Sequence, residues 1–224
     1  RLSFDSRRAC RTLVFPRFGG RLCGMDTGTL AVVATPIGNL EDITYRAVRT
    51  LREAHYVLCE DTRVTGKLMA HYQLDTPLQR YDAHTSERVH TQILDDLAAG
   101  HTVALVSDAG TPGVSDPGVR LVARAREQGI RIDAIPGPSA LTAAISIAGL
   151  AGNQFTFLGF APQKKGRVTF FASLTAYPHP VVFFESPHRL MKTLQALATE
   201  STDTPIDWSI SVARELTKLH ESFV

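Results

Sequence analysis

From residue 29 onward, short apolar runs rich in β-branched residues alternate with stretches whose apolar positions recur at the helical period. That alternation predicts repeated strand-helix units around a mainly parallel sheet. The strands are expected over 29–34, 56–59, 78–81, 102–106 and 130–135. In the first helix Ile43, Ala47, Leu51 and Ala54 share one face, with Asp42 placed to cap it. The second runs to about residue 72, and the third carries the stripe Val89, Ile93 and Leu97 behind Ser86 as its cap. The fourth spans 117–128 and stops at Gly129, the position where a left-handed residue ends a helix. A helix of small residues, reaching 148, follows the fifth strand.

Five such units make an α/β domain over 28–150. Residues 149–154 read as a linker, and a second α/β domain over 151–224 is expected to contain strands at 155–159, 181–184 and 207–213. Its helices are expected to end near 176 and to span 187–199. This second domain is short for its architecture and reads as incomplete at its C-terminal side. Residues 1–27 read as a disordered or non-native extension ahead of the first strand, with Met25 as the first plausible initiator.

Composition is that of an ordinary globular protein, 44% apolar and 21% charged over 224 residues. No apolar run nears the roughly 20 residues that a membrane helix needs, so no membrane partner is expected and the cytoplasm is the default compartment. Charge changes the picture more. Residues 1–24 hold six arginines against Asp5, so of the formal +2 this segment carries +5 and the remainder −3. Such an Arg-rich, acid-poor leader also fits a transit peptide or a basic RNA-binding arm. The body therefore offers no global attraction for a polyanion, and any RNA contact is expected to be local. Cys10, Cys23 and Cys59 form no CxxC pair, which favours neither a disulfide framework nor a zinc site. Cys59 is expected to be a buried strand residue, and no metal is expected.

The candidate chemistry lies in the turns after the strands. Residues 107–118 hold three glycines and two prolines directly after an apolar run, which marks the carboxyl end of a parallel strand, where open α/β sheets bind ligands. Similar turns occur at 35–39 and 136–139. Little side-chain bulk there lets a flat ligand approach main-chain groups through Pro36, Gly38, Ser107, Asp108, Ala109, Gly110, Thr111, Pro112, Pro136, Gly137, Pro138 and Ser139. Asp116, just before Pro117, is expected to cap the next helix. Neither G-x-x-x-x-G-K nor G-x-G-x-x-G is present.

The segment Val33-Ala34-Thr35-Pro36-Ile37-Gly38-Asn39-Leu40-Glu41-Asp42-Ile43-Thr44 resembles the first-strand signature of the tetrapyrrole methylase-like family, in its branch acting on small-subunit ribosomal RNA. Cys59-Glu60-Asp61-Thr62-Arg63, the 107–118 loop, Pro136-Gly137-Pro138, Phe184-Glu185-Ser186-Pro187-His188-Arg189 and Ala213-Arg214-Glu215-Leu216-Thr217-Lys218 match in the same order. The resemblance implies a two-domain fold with S-adenosyl-L-methionine as methyl donor in the cleft, Ala213 among its contacts. It also implies 2′-O-methylation of a cytidine in the decoding region of 16S rRNA within the small ribosomal subunit, and a homodimer. Relatives acting on tetrapyrroles carry a Gly-Pro-Gly-Asp-Pro-like turn where this chain has 35–39, which favours RNA. A tetrapyrrole or other small acceptor, and a non-catalytic RNA-binding module, are the alternatives. Where relatives have His-Asn-Glu, this chain has His84-Thr85-Ser86 with Glu87 one place later.

A ribose 2′-OH needs to lose its proton to attack, and Glu60, Asp61 and His84 are the candidate bases at the sheet's carboxyl edge. Asp61 is slightly favoured over Glu60, against the rival reading that one of the two pairs with Arg63 and the other caps the helix. For RNA contact the candidates are Asn39, Arg63, Arg189 and the basic loop Lys164, Lys165 and Arg167. A 2′-OH acceptor also excludes DNA.

Overall fold

The computed structural model describes residues 28–114, 116–150, 153–203 and 209–224. The expectations for the leader 1–27, and parts of the linker and of the 207–213 strand, lie outside them. Five parallel strands, β1 (Thr29–Val33), β2 (Tyr56–Cys59), β3 (Leu78–Arg80), β4 (Val103–Leu105) and β5 (Arg131–Ile135), form one sheet in the order β3-β2-β4-β1-β5.

Period-two alternation along these strands supplies two apolar faces. On one, Ala31, Val33, Val57, Cys59 and Ala104 pack against Ala47 and Leu51 of α1 (Tyr45–Glu53) and Leu68 and Met69 of α2 (Thr62–His71). On the other, Leu30, Leu58, Val103 and Leu105 meet Ile93, Leu94 and Leu97 of α3 (Glu87–Ala98) and Leu121 and Ala125 of α4 (Gly118–Glu127). Cys59 is fully buried, as expected. Gly129, φ 72°, ends α4 as the sequence indicated. The start of α1 differs from expectation: residues Leu40–Asp42 form a 3-10 turn, and Thr44 caps the helix by accepting from the Ala47 N–H at 3.1 Å. Asp42 thereby lies two residues ahead of the cap position.

Across the second face, Glu87 pairs with Arg124 at 2.6 Å and with Arg120, tying α3 to α4. Beneath them His90 is 1% exposed, its ring edge-on to Tyr81 at 5.2 Å, and Nδ1 has no hydrogen-bond partner among the described residues. Burial first, then the charges of Arg120 and Arg124, hold its pKa below the ordinary value. Above about pH 6.5 the imidazole is neutral in both folded and unfolded chains and adds no pH dependence. As the pH falls through that value only the unfolded chain takes up the proton, so stability declines until the lowered folded value is reached. A urea midpoint that drops between pH 7.5 and 5.5 in the native chain, and drops less in His90→Leu, is the expected result.

After α5 (Ala140–Ile147), the second half begins with β6 (Thr156–Phe160), α6 (Arg167–Ser173), the parallel partner β7 (Val181–Phe184) and α7 (Leu190–Asp203). Phe171, Leu174 and Leu197 form its small core. The long strand expected over 207–213 does not form among the described residues. A two-residue strand β8 (Ala213–Arg214) pairs antiparallel with β9 (Ser222–Phe223) instead. The turn between them holds Glu215 and Thr217 at positive φ, 52° and 69°, a conformation that periodicity does not reveal.

Candidate active site

The turns singled out in the sequence follow β1, β4 and β5, which are neighbours in the sheet. From β1 the chain crosses past β4 to β2, whereas from β4 it crosses past β1 to β5. The connections thus leave two adjacent strands in opposite directions, and the space between them is the switch point where open α/β sheets hold ligands.

The three turns are knitted together there. Thr35 and Gly110 exchange backbone hydrogen bonds at 2.9 and 3.0 Å, and Thr35 Oγ1 donates to the Ser107 carbonyl at 3.1 Å. Thr111 Oγ1 donates to the Pro138 carbonyl at 3.0 Å, joining the β4 turn to the β5 turn. Gly110 sits at φ 83°, where a Cβ would lie 3.3 Å from Ile37 Cγ2. A Cβ on Gly137 would stand 3.0 Å from that of Ala34. Both glycines are therefore fixed by close packing between the turns.

Pro36, Gly38, Ala109, Pro136, Gly137 and Ser139 are at least partly open at this rim, while Gly110 and Pro112 are buried within it. Ser107 is 6% exposed, and its hydroxyl is turned inward toward the Ala109 and Gly110 carbonyls, so its part is in shaping the turn. Asp116 accepts from the Gly118 N–H at 2.8 Å and from Val114 and Gly113 N–H, closing the loop just ahead of α4, whose cap position is held by Pro117 and not, as expected, by Asp116.

Beside the switch point, at the end of β2, the two carboxylates of Glu60 and Asp61 differ. Asp61 caps α2: it accepts from the Arg63 N–H at 2.8 Å, and the Arg63 guanidinium reaches both its oxygens, Nη2 at 2.6 Å. Those hydrogen bonds hold its carboxyl far below the usual range and make it a feeble base. Asp61 thus takes both parts of the rival reading, pairing with Arg63 and capping the helix. Glu60 is half-buried, and that burial, with the nearby Asp108, Asp116 and Asp82 carboxylates, pushes its pKa up against an opposing Asp108 N–H. A carboxylate with a raised pKa is the better proton acceptor. Asp108 is exposed and uses Oδ1 to accept from the Asp61 N–H at 3.0 Å, which locks the β4 turn to the β2 end and leaves Oδ2 for a ligand.

His84 is exposed on the rim after β3, its N–H held by Asp82 at 2.8 Å, in an open hollow of about 320 Å³ with Arg80, Asp82, Thr85 and Val89. Arg80 pairs with Asp82 at 2.7 Å while remaining 73% exposed. It was not among the expected contacts, although a basic residue near the end of the strand expected over 78–81 was a usable signal.

The RNA-contact candidates separate sharply. Arg63 stays 87% exposed at the rim and Lys164 and Lys165 are exposed after β6. Arg167 and Arg189 are not available: both pair with the buried Glu185 at 2.8 Å. Asn39 spends its side-chain oxygen on the Glu41 N–H at 3.1 Å as the cap of the 3-10 turn. Ala213 lies in β8, exposed. The same hairpin reaches the first turn through other residues, since a Cβ on Gly38 would lie 2.5 Å from Lys218 Cγ and 3.0 Å from Thr217 Oγ1. Among the described residues no cluster of three or more His, Cys, Asp or Glu is arranged to hold a metal, and no helix is long and apolar enough to cross a membrane.

Comparison with known proteins agrees with this architecture. A family model described as Tetrapyrrole (Corrin/Porphyrin) Methylases matches residues 29–224. A protein of Thermotoga maritima named ribosomal RNA small subunit methyltransferase I is 45% identical over 196 residues, 88% of this chain and 86% of that protein. A Synechocystis protein of the same name is 47% identical, over 88% of this chain and 70% of its own length. Among solved structures, a cobalt precorrin-4 methyltransferase superposes with a TM-score of 0.64 at 19% identity, over 88% of this chain and 84% of the other. A diphthine synthase gives 0.65 at 16% identity, over 88% and 80%. The parallel sheet, its interlinked switch-point turns and a match running from the first strand to residue 224 establish that the chain belongs to the tetrapyrrole methylase family.

Proposed function

We propose that this chain transfers a methyl group from S-adenosyl-L-methionine to the ribose 2′-OH of a cytidine in the decoding region of 16S rRNA, with Glu60 accepting the proton. The observation that carries the reading is the 45 to 47% identity, over 88% of the chain, to proteins named ribosomal RNA small subunit methyltransferase I. The site fits the donor. Three side-chain-poor turns at the switch point offer main-chain N–H and C=O groups, and Asp108 keeps one carboxylate oxygen for a polar group of the ligand.

When bound, S-adenosylmethionine supplies a methyl already activated by its sulfonium charge. What remains for the protein is positioning, which can be worth about 7 to 11 kcal/mol, and removal of the ribose proton. The turns after β1, β4 and β5 hold the donor; Glu60, at the adjoining strand end, takes the 2′-OH proton; Arg63 at the start of α2 and Arg80 at the end of β3, each paired with an acid yet largely exposed, serve as cations for the neighbouring phosphates. A tetrapyrrole or other small acceptor is the competing reading on the same fold.

The test incubates the protein with labelled donor and small subunits from cells lacking the modification, in competition with precorrin-type acceptors. 2′-O-methylcytidine in the digested RNA is the expected product. Label entering only the tetrapyrrole, or no product from folded protein that binds donor, overturns the reading.

A further inference from the structure

We infer that the exposed face of α1, with the open groove between α1 and the edge strand β5, is a second RNA-contact surface that carries a single-stranded stretch of the substrate RNA away from the methyl-transfer site. This rests on the proposed RNA acceptor. The surface is assigned neither by the family's signatures nor by the turns at the switch point.

Four observations carry it. First, seven of the thirteen arginines among the described residues, Arg63, Arg80, Arg120, Arg124, Arg131, Arg167 and Arg189, have a carboxylate within ion-pair distance. Of the six exposed arginines without such a partner among the described residues, Arg46, Arg49 and Arg52 are grouped on α1, whereas Arg88, Arg126 and Arg214 lie singly on α3, α4 and β8. Second, Tyr45 at the first position of the helix is 98% exposed, a large aromatic ring with no packing role. Tyr45, Arg49 and Arg52 fall at i, i+4 and i+7, so ring and guanidinium groups form one stripe, with Arg46 beside it. Third, two helices cover the α1 side of a five-stranded sheet, and β5 at its edge stays open there. A groove of about 400 Å³ results, lined by Arg46, Arg49, Thr50, Glu53, Arg131 and Asp133. Asp133 is already neutralised by two hydrogen bonds from Arg131 at 3.0 Å, which leaves Glu53 as its one unpaired acid. Fourth, α1 is joined to the β1 turn only through the 3-10 turn Leu40–Asp42, so Tyr45 marks the end of the stripe nearest the switch point.

A free aromatic ring followed by unpaired guanidinium groups at one-turn spacing is the chemistry of single-strand binding, in which bases stack and phosphates are neutralised in succession. A duplex would not expose base faces to Tyr45, and a polyanion without bases would not need it.

The experiment measures small-subunit affinity, donor affinity and molar mass by light scattering for the full chain and three variants. Tyr45→Ala is expected to weaken subunit binding about fivefold or more at fixed salt. Arg46→Gln with Arg49→Gln is expected to lower the salt slope by about 1.4, at about 0.7 per phosphate, so that its deficit relative to the native chain shrinks about sevenfold between 50 and 200 mM salt. Arg46→Lys with Arg49→Lys restores most of that slope, and donor affinity is unchanged in all three. Native protein that binds subunits, with variants that bind them equally well, overturns this inference alone. Native protein that does not bind subunits overturns it together with the proposed acceptor. A change in molar mass with unchanged RNA affinity also overturns it, because the face is then a contact between copies of the chain.

Discussion

Replacing Glu60 by glutamine is expected to slow methyl transfer about 10²- to 10⁴-fold in single-turnover measurements, with donor affinity near that of the native chain. Glutamine keeps the size of the side chain and its carbonyl oxygen but cannot take a proton at that oxygen. The loss therefore falls on the chemical step and not on binding. Burial and the facing carboxylates of Asp108, Asp116 and Asp82 raise the Glu60 pKa, and only its ionised form is a base. The native rate is expected to rise with pH through that raised value and then level off, and Glu60→Gln is expected to lose this limb. Asp61→Asn is the contrasting variant. Asparagine is also a good helix cap, so the start of α2 survives, while the paired Arg63 is released. Its chemical step is expected to fall much less than that of Glu60→Gln. The reverse order, Asp61→Asn inert and Glu60→Gln active, overturns the assignment of the base.

These two neighbouring carboxylates show what a sequence can and cannot convey about a site. Their location was legible, because an apolar β-rich run followed by acidic residues and a helix places them at a strand's carboxyl end. Their difference was not. It depends on Arg63 folding back two residues onto Asp61, and on Asp108, 47 residues away, crossing to the β2 end. The turns behave similarly. Their glycines and prolines announced a ligand edge, but sequence order gives strands 1, 4 and 5, and only the pairing β4-β1-β5 makes them one wall. The fold of the first half was legible almost throughout, since helices lie on both of its faces and the inner strands β1, β2 and β4 supply apolar residues to both layers. The hairpin of β8 and β9 was not, because two residues at positive φ and a two-residue ladder leave no period to detect.

Charge was the least legible property. Arg167 and Arg189 read as RNA contacts because a basic loop and a motif arginine look exposed in one dimension. In three dimensions they converge on Glu185, whose side chain is 7% exposed. Meanwhile the arginines of α1 drew no notice, since charged residues on the outer face of an amphipathic helix are ordinary until their lack of partners is seen.

The largest stability loss is expected from Glu185→Ala, at about 3 to 5 kcal/mol. Glu185 accepts hydrogen bonds from Arg167 at 2.8 Å, from Thr193 Oγ1 at 2.7 Å and from the Ser186 N–H at 2.7 Å, and pairs with Arg189 at 2.8 Å. Burial alone would raise its pKa, yet those donors outweigh it and hold the carboxyl below its ordinary value. The side chain therefore joins the end of β7, the start of α6 and the start of α7 at one point, with the Arg167 guanidinium also lying 4.9 Å from the centre of the Phe171 ring. Alanine leaves two largely buried guanidinium groups facing each other without a counterion, which costs far more than the pair's net attraction. Glu185→Gln keeps an acceptor but not the charge and is expected to fall between alanine and the native chain. Because the folded pKa is depressed, the carboxylate's contribution is present above about pH 4.5 and is lost as the pH falls through the folded value. Urea midpoints at pH 7 and pH 4 check both statements: the gap between Glu185→Ala and the native chain is expected to be wide at the first and narrower at the second. A midpoint for Glu185→Ala within experimental error of the native chain at pH 7 would remove this cluster from the interactions that hold the second half together, and would return Arg167 and Arg189 to consideration as RNA contacts.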